Sequence, residues 1–379
     1  MLVAGTQNYR TKKIRSTAVA LIVLGFFVGL PIGNLLGTAS VPIRVHLTIA
    51  YGSEKASWMA GVQAAFTQWW KQNYPDFPIA TDFTAMGSGD SMSEIINEEI
   101  QPIIWSPAAS IWIPILNSEW GAQAAYRGQT IIKNTTYVIY SPIVIATWQS
   151  FLQTYNITGF NSLYDLIQAH PGVVKMAHTD PTQSNSGFMA VIMEISAMLK
   201  KDPSQLTMTD LANTTVQNWL RVFESSAVNY GTSTGFLANM MASAGPSQIN
   251  VAILYENLVK SISNAVPGQK VVAVYPEEGT LFSDHPFCIL NASWVTPDDA
   301  FVAEKFVEFI KRPDMINLAM QSGFRPINSS IVLNPQIFNY TNYGIQLNVP
   351  SYCPQLNVPT SGEVLARVPD LWQLAKSVM

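Results

Sequence analysis

Four short stretches of the chain gather hydroxyl groups, glycines and carboxylates as a polar-ligand site requires. They are Gly52-Ser53-Glu54-Lys55, Gly87-Ser88-Gly89-Asp90-Ser91, Ser106-Pro107-Ala108-Ala109-Ser110 and Asp180-Pro181-Thr182-Gln183-Ser184-Asn185-Ser186-Gly187. Each follows an apolar run and opens a segment of helical spacing. A helix start leaves backbone N–H groups without intrahelical partners, and neighbouring hydroxyls both donate and accept, so such loops hold small polar ligands. Helix capping uses the same residue types. It is the repetition of these loops after successive strands that points to a cleft. Two more loops belong with them, Tyr230 to Thr234, carrying Tyr230, Ser233 and Thr234, and Tyr255 to Asn257, carrying Tyr255 and Glu256.

The charges in these loops narrow the solute. Glu54, Asp90, Asp180 and Glu256 face only Lys55, with no arginine. Two like charges about 4 Å apart at an effective dielectric of about 20 cost roughly 4 kcal/mol, so uncompensated carboxylates repel an anion. Carboxylates also accept hydrogen bonds from hydroxyl and ammonium groups and bind hard cations. The expected solute is a neutral polyol, an amine or a cation, ahead of phosphate or sulfate. Trp105, Tyr230 and Tyr255 offer flat faces for it, whereas Trp58 reads as core.

A catalytic reading competes. Gly231-Thr232-Ser233-Thr234-Gly235 fits the G-x-S-x-G nucleophile elbow, with Asp284 and His285 downstream. The elbow needs a buried strand before it, and Ala227-Val228-Asn229-Tyr230 is a poor one. Adjacent Asp284 and His285 serve a single triad awkwardly. Gly87 and Gly89 lack the lysine of a phosphate loop and the third glycine of a dinucleotide fingerprint. No Cys/His spacing suits zinc. The expectation is a protein that is not an enzyme and carries no cofactor or metal; a hydrolase using Ser233 and a non-binding cell-surface structural protein are the alternatives.

The elements that must position these loops alternate. Residues 44–50 and 78–86 read as strands, each followed by a helix, and residues 102–105 as a third strand. Ser91-Met92-Ser93-Glu94 reads as a capping box opening the second helix. Strand–helix–strand order argues for a parallel sheet with crossovers. Residues 136–148 read as one strand. A second set follows, with strands at 173–177 and 250–255 and helices between. Residues 271–275 and 286–290 lead back, and helices at 298–310 and 313–321 are closed by Gly323. The division is lobe I at 43–137, lobe II at 138–270, and a return to lobe I with C-terminal helices at 271–379. Two crossings between lobes imply a hinge and a cleft.

Composition sets the compartment. Only 12% of the 379 residues are charged, and 21 Lys+Arg give a net charge of −4, which excludes disorder and phosphate-directed nucleic-acid binding. A single long apolar stretch excludes a multi-pass membrane protein. Residues 1–15 form a basic, cytoplasmic segment, and residues 16–39 an uncharged signal or membrane anchor. Gly37-Thr38-Ala39 suits cleavage. Arg15-Ser16 instead is similar to the processing site of archaeal pilin-like signal peptides, after which the helix is retained; the length of the run favours retention. The rest then lies outside the cell. Six sequons, at Asn134, Asn156, Asn213, Asn291, Asn328 and Asn339, fit a glycosylated exterior protein. Cys288 and Cys353 could pair there, although Cys288 reads as a buried free thiol.

The chain resembles the extracellular solute-binding proteins of ABC importers. The residues that carry the likeness are Tyr51-Gly52-Ser53-Glu54-Lys55, Met86-Gly87-Ser88-Gly89, Trp105-Ser106-Pro107-Ala108-Ala109-Ser110, Ser184-Asn185-Ser186-Gly187, Tyr230-Gly231-Thr232-Ser233-Thr234-Gly235, Leu254-Tyr255-Glu256-Asn257-Leu258, Tyr275-Pro276-Glu277-Glu278-Gly279-Thr280 and Gly323-Phe324-Arg325-Pro326. The branch it is most similar to is often associated with von Willebrand factor A domains, whose D-x-S-x-S metal motif this chain lacks. The resemblance implies an α/β, two-lobed periplasmic-binding-protein-like fold of type II, a small-molecule or ion solute, an ABC permease as partner, and Ser233 as a cleft residue.

Overall fold

The computed structural model describes residues 43–377. The expected basic segment and anchor, residues 1–39, lie outside the described residues. Among the described residues no helix is long and apolar enough to cross a membrane.

The chain runs β1 (Val45–Gly52), α1 (Ala56–Asn73), β2 (Ile79–Met86), α2 (Ser88–Ile96), β3 (Ile104–Ser106), α3 (Trp112–Ala122), β4 (Ile132–Thr136), β5 (Ile139–Trp148), α4 (Gln149–Tyr155), α5 (Phe160–Ala169) and β6 (Met176–Thr179). It continues with α6 (Asn185–Leu199), α7 (Met208–Ala212), α8 (Thr214–Glu224), β7 (Ala227–Gly231), α9 (Thr234–Ala244), β8 (Val251–Tyr255), α10 (Glu256–Ala265), β9 (Val271–Val274), β10 (Phe282–Ser283) and β11 (Phe287–Leu290). Last come α11 (Pro297–Ile310), α12 (Pro313–Gln321), β12 (Arg325–Pro326), α13 (Tyr340–Tyr343) and α14 (Gly362–Lys376).

Two sheets result. The first has the order β2-β1-β3-β11-β4. β1 runs parallel to β2 and β3, as the alternation of strands and helices requires, and β11 is antiparallel. The second has seven strands, in the order β10-β5-β8-β6-β7 with β9 and β12 also on β5. The main chain passes from the first sheet to the second between β4 and β5, and returns between β10 and β11. β12 then pairs with the start of β5, at Tyr140 and Ile139.

Apolar spacing explains the layers. α1 buries Trp58, Met59, Val62, Phe66 and Trp70 on one stripe, over the first sheet. Each such side chain contributes about 2 kcal/mol by leaving water. α6 is mostly apolar and is buried on every side from Asn185 to Ala197, because it lies beneath other helices of the second lobe. Trp58 and Trp105 are both fully buried, with indole N–H groups bonded to the Met315 carbonyl and Ser91 Oγ. Neither offers a face to a solute.

Two sequence expectations change. Residues 136–148 are not one strand: β4 ends at Thr136, and its exposed Lys133 and Asn134 mark an edge strand that hydropathy does not reveal. The C-terminal residues also do not all return to lobe I. α11 and α12 pack on β1 and α1, but α14 packs on α6, α7 and α8 of the second lobe. The reason is its apolar stripe of Val364, Leu365, Val368, Leu371 and Trp372. Gly323 does close α12, at φ +86°. Asn134, Asn156, Asn213, Asn291 and Asn328 are exposed, while Asn339 is half-buried and caps α13. Cys288 and Cys353 are both free and buried, and burial pushes each thiol up to about 12.

Candidate functional site

Six loops follow the carboxyl ends of strands that run parallel within each sheet: β1, β2 and β3 in the first, β6, β7 and β8 in the second. They meet face to face. Gly89 and Asp90 N–H, at the start of α2, donate to the Gln183 carbonyl of the other lobe at 2.8 and 3.1 Å. In return Gly235 N–H, at the start of α9, donates to Ser53 Oγ at 2.8 Å, and Ser53 Oγ donates to Ser233 Oγ at 2.7 Å. Asn257 Nδ2 donates to the Glu54 carbonyl at 3.2 Å. Trp112 Nε1 donates to Asn185 Oδ1 at 2.9 Å.

At these loops α2, α6, α9 and α10 start without a side-chain cap of their own, as do α1, α3, α4 and α12. α7, α8, α11 and α14 are capped by Thr207, Asn213, Thr296 and Ser361. At α2 and α9 the missing acceptor comes from the opposite lobe. The approach is close enough to demand glycine: a Cβ on Gly89 would lie 2.2 Å from the Thr182 carbonyl oxygen, and one on Gly235 2.5 Å from that of Ser53. The Ser91-Met92-Ser93-Glu94 capping box does not form, because α2 starts three residues earlier, at Ser88.

Between the loops lies a buried polar centre. Lys55 Nζ donates to Glu54 Oε1 at 2.8 Å and to the Pro107 carbonyl at 3.2 Å. His285 Nδ1 stands 3.2 Å from the same Glu54 oxygen, but not aligned for a hydrogen bond. Burial acts to raise Glu54, yet Lys55 and His285 outweigh it and hold the carboxyl at about 2. Burial pushes Lys55 and His285 down. Asn185 Nδ2 donates to Tyr255 Oη at 2.8 Å and Ser283 Oγ at 3.1 Å. Thr234 Oγ1 donates to Ser186 Oγ at 2.8 Å, Ser184 Oγ lies 3.4 Å from Thr234 Oγ1, and the Ala108 N–H donates to Ser88 Oγ at 2.9 Å. Ser106 Oγ, Asn257 Oδ1 and both His285 ring nitrogens are buried without a hydrogen bond among the described residues.

Most of the residues singled out in the sequence thus converge: Ser53, Glu54, Lys55, Gly87, Ser88, Gly89, Asp90, Ser106, Ser184, Asn185, Ser186, Ser233, Thr234 and Tyr255. Three stand otherwise. Asp180 spends Oδ1 on the Thr182 N–H and hydroxyl, closing its own turn. Glu256 is held by Arg325 Nε and Nη2 at 2.8 and 3.0 Å, a pair linking α10 to β12. Tyr230 is turned away: its hydroxyl donates to Glu224 at 2.9 Å inside the second lobe. Residue type alone did not reveal His285 and Trp112 as members of the centre. They come from distant loops and are joined to it only by the fold.

The hydrolase geometry is not formed. Ser233 Oγ is bonded to Ser53, neither ring nitrogen of His285 has a hydrogen bond among the described residues, and Asp284 accepts from Ser110 N and Oγ at 2.7 and 2.6 Å. Ser233, His285 and Asp284 therefore form no relay.

Asp90 gives the meeting of the lobes a pH dependence. Burial, then Glu94 and then Asp180 of the opposite lobe, push its carboxyl up to about 6. A carboxyl raised in this way favours the joined form below its value and disfavours it as pH rises through about 6. Small-angle scattering should show the lobes drawing apart as pH rises from about 4, the ordinary aspartate value, to about 6. Asp90→Asn should remove that change, and an unchanged radius across the range in the native chain would contradict it.

No curated protein sequence matches the chain. Solved structures do. The periplasmic binding protein AfuA from Actinobacillus pleuropneumoniae, with fructose-6-phosphate bound, aligns with a TM-score of 0.62 and 14% identity over 89% of this chain and 100% of that one. The sulfate-binding protein SubI from Mycobacterium tuberculosis H37Rv aligns with a TM-score of 0.53 and 15% identity, over 76% of this chain and 88% of that one. Iron-bound HitA from Pseudomonas aeruginosa gives 0.55 and 14%, over 88% and 99%. The fold is the two-lobed α/β arrangement of type II periplasmic binding proteins. The bacterial extracellular solute-binding protein model matches residues 47–325, most of both lobes, and the chain belongs to that family.

Proposed function

We propose that the chain captures a small solute bearing an oxyanion group between its lobes, outside the cell, and passes it without catalysis to the permease of an ABC importer. The exchange of helix caps carries this reading. The Gln183 carbonyl on α2 and Ser53 Oγ on α9 are acceptor oxygens set on helix N-termini that lack their own caps. When the lobes part, a solute's oxygens meet the same N–H groups, and the helix dipoles favour negative charge there. Three of the four carboxylates that argued for a polyol, an amine or a cation are engaged within the protein, Glu54 by Lys55, Glu256 by Arg325 and Asp180 by Thr182. The fourth, Asp90, has no such partner among the described residues and stands beside the α2 N–H groups, where burial and its acidic neighbours favour its uncharged form by pushing its carboxyl up to about 6. Fructose-6-phosphate in AfuA and sulfate in SubI's name agree with this class, and iron in HitA does not. Small polar side chains such as Ser53, Ser233 and Asn185 meet across the cleft beside the Trp112–Phe188 ring pair, and such a polar seam suits a binding protein better than a purely structural one. The basic start with the apolar run at 16–39, and the exposed sequons, support a glycosylated protein anchored by that run.

Calorimetric titration of the full chain tests the solute class. Sulfate, phosphate, molybdate and a sugar phosphate should bind, and Ser88→Leu with Ser186→Leu should weaken binding by more than about tenfold, the loss of one or two hydrogen bonds. Binding confined to spermidine, neutral sugars or divalent cations would overturn the oxyanion reading and keep the cleft.

A further inference from the structure

The second lobe contains a cluster that the solute site does not use. His178 at the end of β6, Glu194 on α6 and Glu224 at the end of α8 are all fully buried, and their ligand atoms lie within 4.8 Å of one another. His178 Nδ1 lies 2.7 Å from the Thr179 carbonyl, an acceptor, so Nδ1 carries the hydrogen. Nε2 then faces Glu224 Oε1 and Oε2 at 3.1 Å each. A neutral imidazole would turn its lone pair on two carboxylate oxygens. Both oxygens of Glu194 lack a hydrogen bond among the described residues. Burial, then Glu224, push the Glu194 carboxyl well above its ordinary value. Among the described residues the surroundings supply no balancing cation: Tyr230 and Trp372 wall the cluster with their rings, the Tyr230 hydroxyl donates to Glu224 Oε2 at 2.9 Å, and Lys376 Nζ sits over those rings at 4.4 and 4.6 Å.

We infer that His178 Nε2, Glu224 and Glu194 hold a divalent first-row transition ion of the zinc class, separate from the solute cleft. Ligand atoms about 2.0–2.2 Å from one ion stand about 3 Å apart, which matches the Nε2–carboxylate spacing. A small shift of Glu194 brings its oxygen onto the same ion. A ligating histidine whose other N–H is held by a backbone carbonyl is the usual second-shell arrangement. Imidazole favours zinc-like ions over calcium or magnesium, and two carboxylates with a 2+ ion and neutral histidine balance their charge. The ion would tie β6 to α6 and α8. It would also steady the Asp180–Gly187 loop, because Thr179 Oγ1, next to His178, accepts the Gly187 N–H at 2.7 Å.

The competing state carries protons in place of the ion, on Nε2 and on Glu194. Elemental analysis separates the two, using the full chain unfolded and refolded with Zn2+ and then desalted. About one zinc per chain is expected, with a higher unfolding temperature than chain refolded in EDTA. Glu194→Gln keeps the shape and a donor, and should lose the zinc and the difference between the two refoldings. A native chain that holds no zinc, or that unfolds at the same temperature from both refoldings, overturns the site. So does a Glu194→Gln chain that keeps its zinc. If Glu194→Gln does not fold, refolding the native chain with Co2+ decides: the visible bands of a low-symmetry site are expected, and their absence overturns the assignment.

Discussion

Arg325→Met is expected to destabilise the protein by about 3–5 kcal/mol, the cost of leaving one charge of a buried pair unmatched. Glu256 is fully buried; burial acts to raise its carboxyl, and Arg325 opposes this. Arg325 approaches Glu256 with two nitrogens, donates to the Leu347 carbonyl at 3.0 Å and lies 4.8 Å over the Phe338 ring. Methionine retains the packing and removes the charge. The double variant Glu256→Gln, Arg325→Met should recover much of the loss, since no buried charge then stands alone. Urea denaturation with its midpoint and slope is the check. A single-variant cost below about 1 kcal/mol, the range of exposed ion pairs, would mean that solvent reaches the pair.

The second large effect is on closure. Gly89→Val puts a branched side chain against the backbone at Gln183 and Thr182, where a Cβ would lie 2.2 Å from the Thr182 oxygen. Backbone on both sides leaves nothing flexible to give way. The lobes should stay apart in scattering at every pH. Solute binding should fall by at least about a hundredfold, because the valine fills the space in front of the α2 N–H groups. The fold should survive, since valine has a better helix propensity than the glycine it replaces in α2. Normal closure with valine at this position would show that the lobes meet by a different path.

How much of this was legible in the sequence depends on the range of the interaction. The parallel first sheet followed from apolar runs and helical stripes such as Trp58 to Trp70, because period and burial are local properties. The loops followed for the same reason, as they sit where strands end. Glu256 was misplaced because its partner, Arg325, is 69 residues away. Tyr230 was misplaced because residue type does not say which side of β7 its ring takes. Expecting Ser91 to cap α2 failed because the cap comes from Gln183, on another lobe. The polar edge strand β4 left no hydropathic signal at all. What escaped was, in each case, a pairing that only the assembled chain creates.

The mutual capping has a consequence for rates and affinities. Every hydrogen bond that joins the loops must break before a solute enters, so solute meets only the fraction of molecules that are open. If one molecule in about a hundred is open, the apparent dissociation constant is about a hundredfold weaker than the intrinsic one. The observed binding rate then stops rising with solute concentration and levels off at the opening rate. Removing a lobe-to-lobe bond while leaving the helix N–H groups free, as Ser53→Ala does at Gly235, shifts the population towards open molecules. Such a variant tightens apparent binding even though its cleft has one hydroxyl fewer.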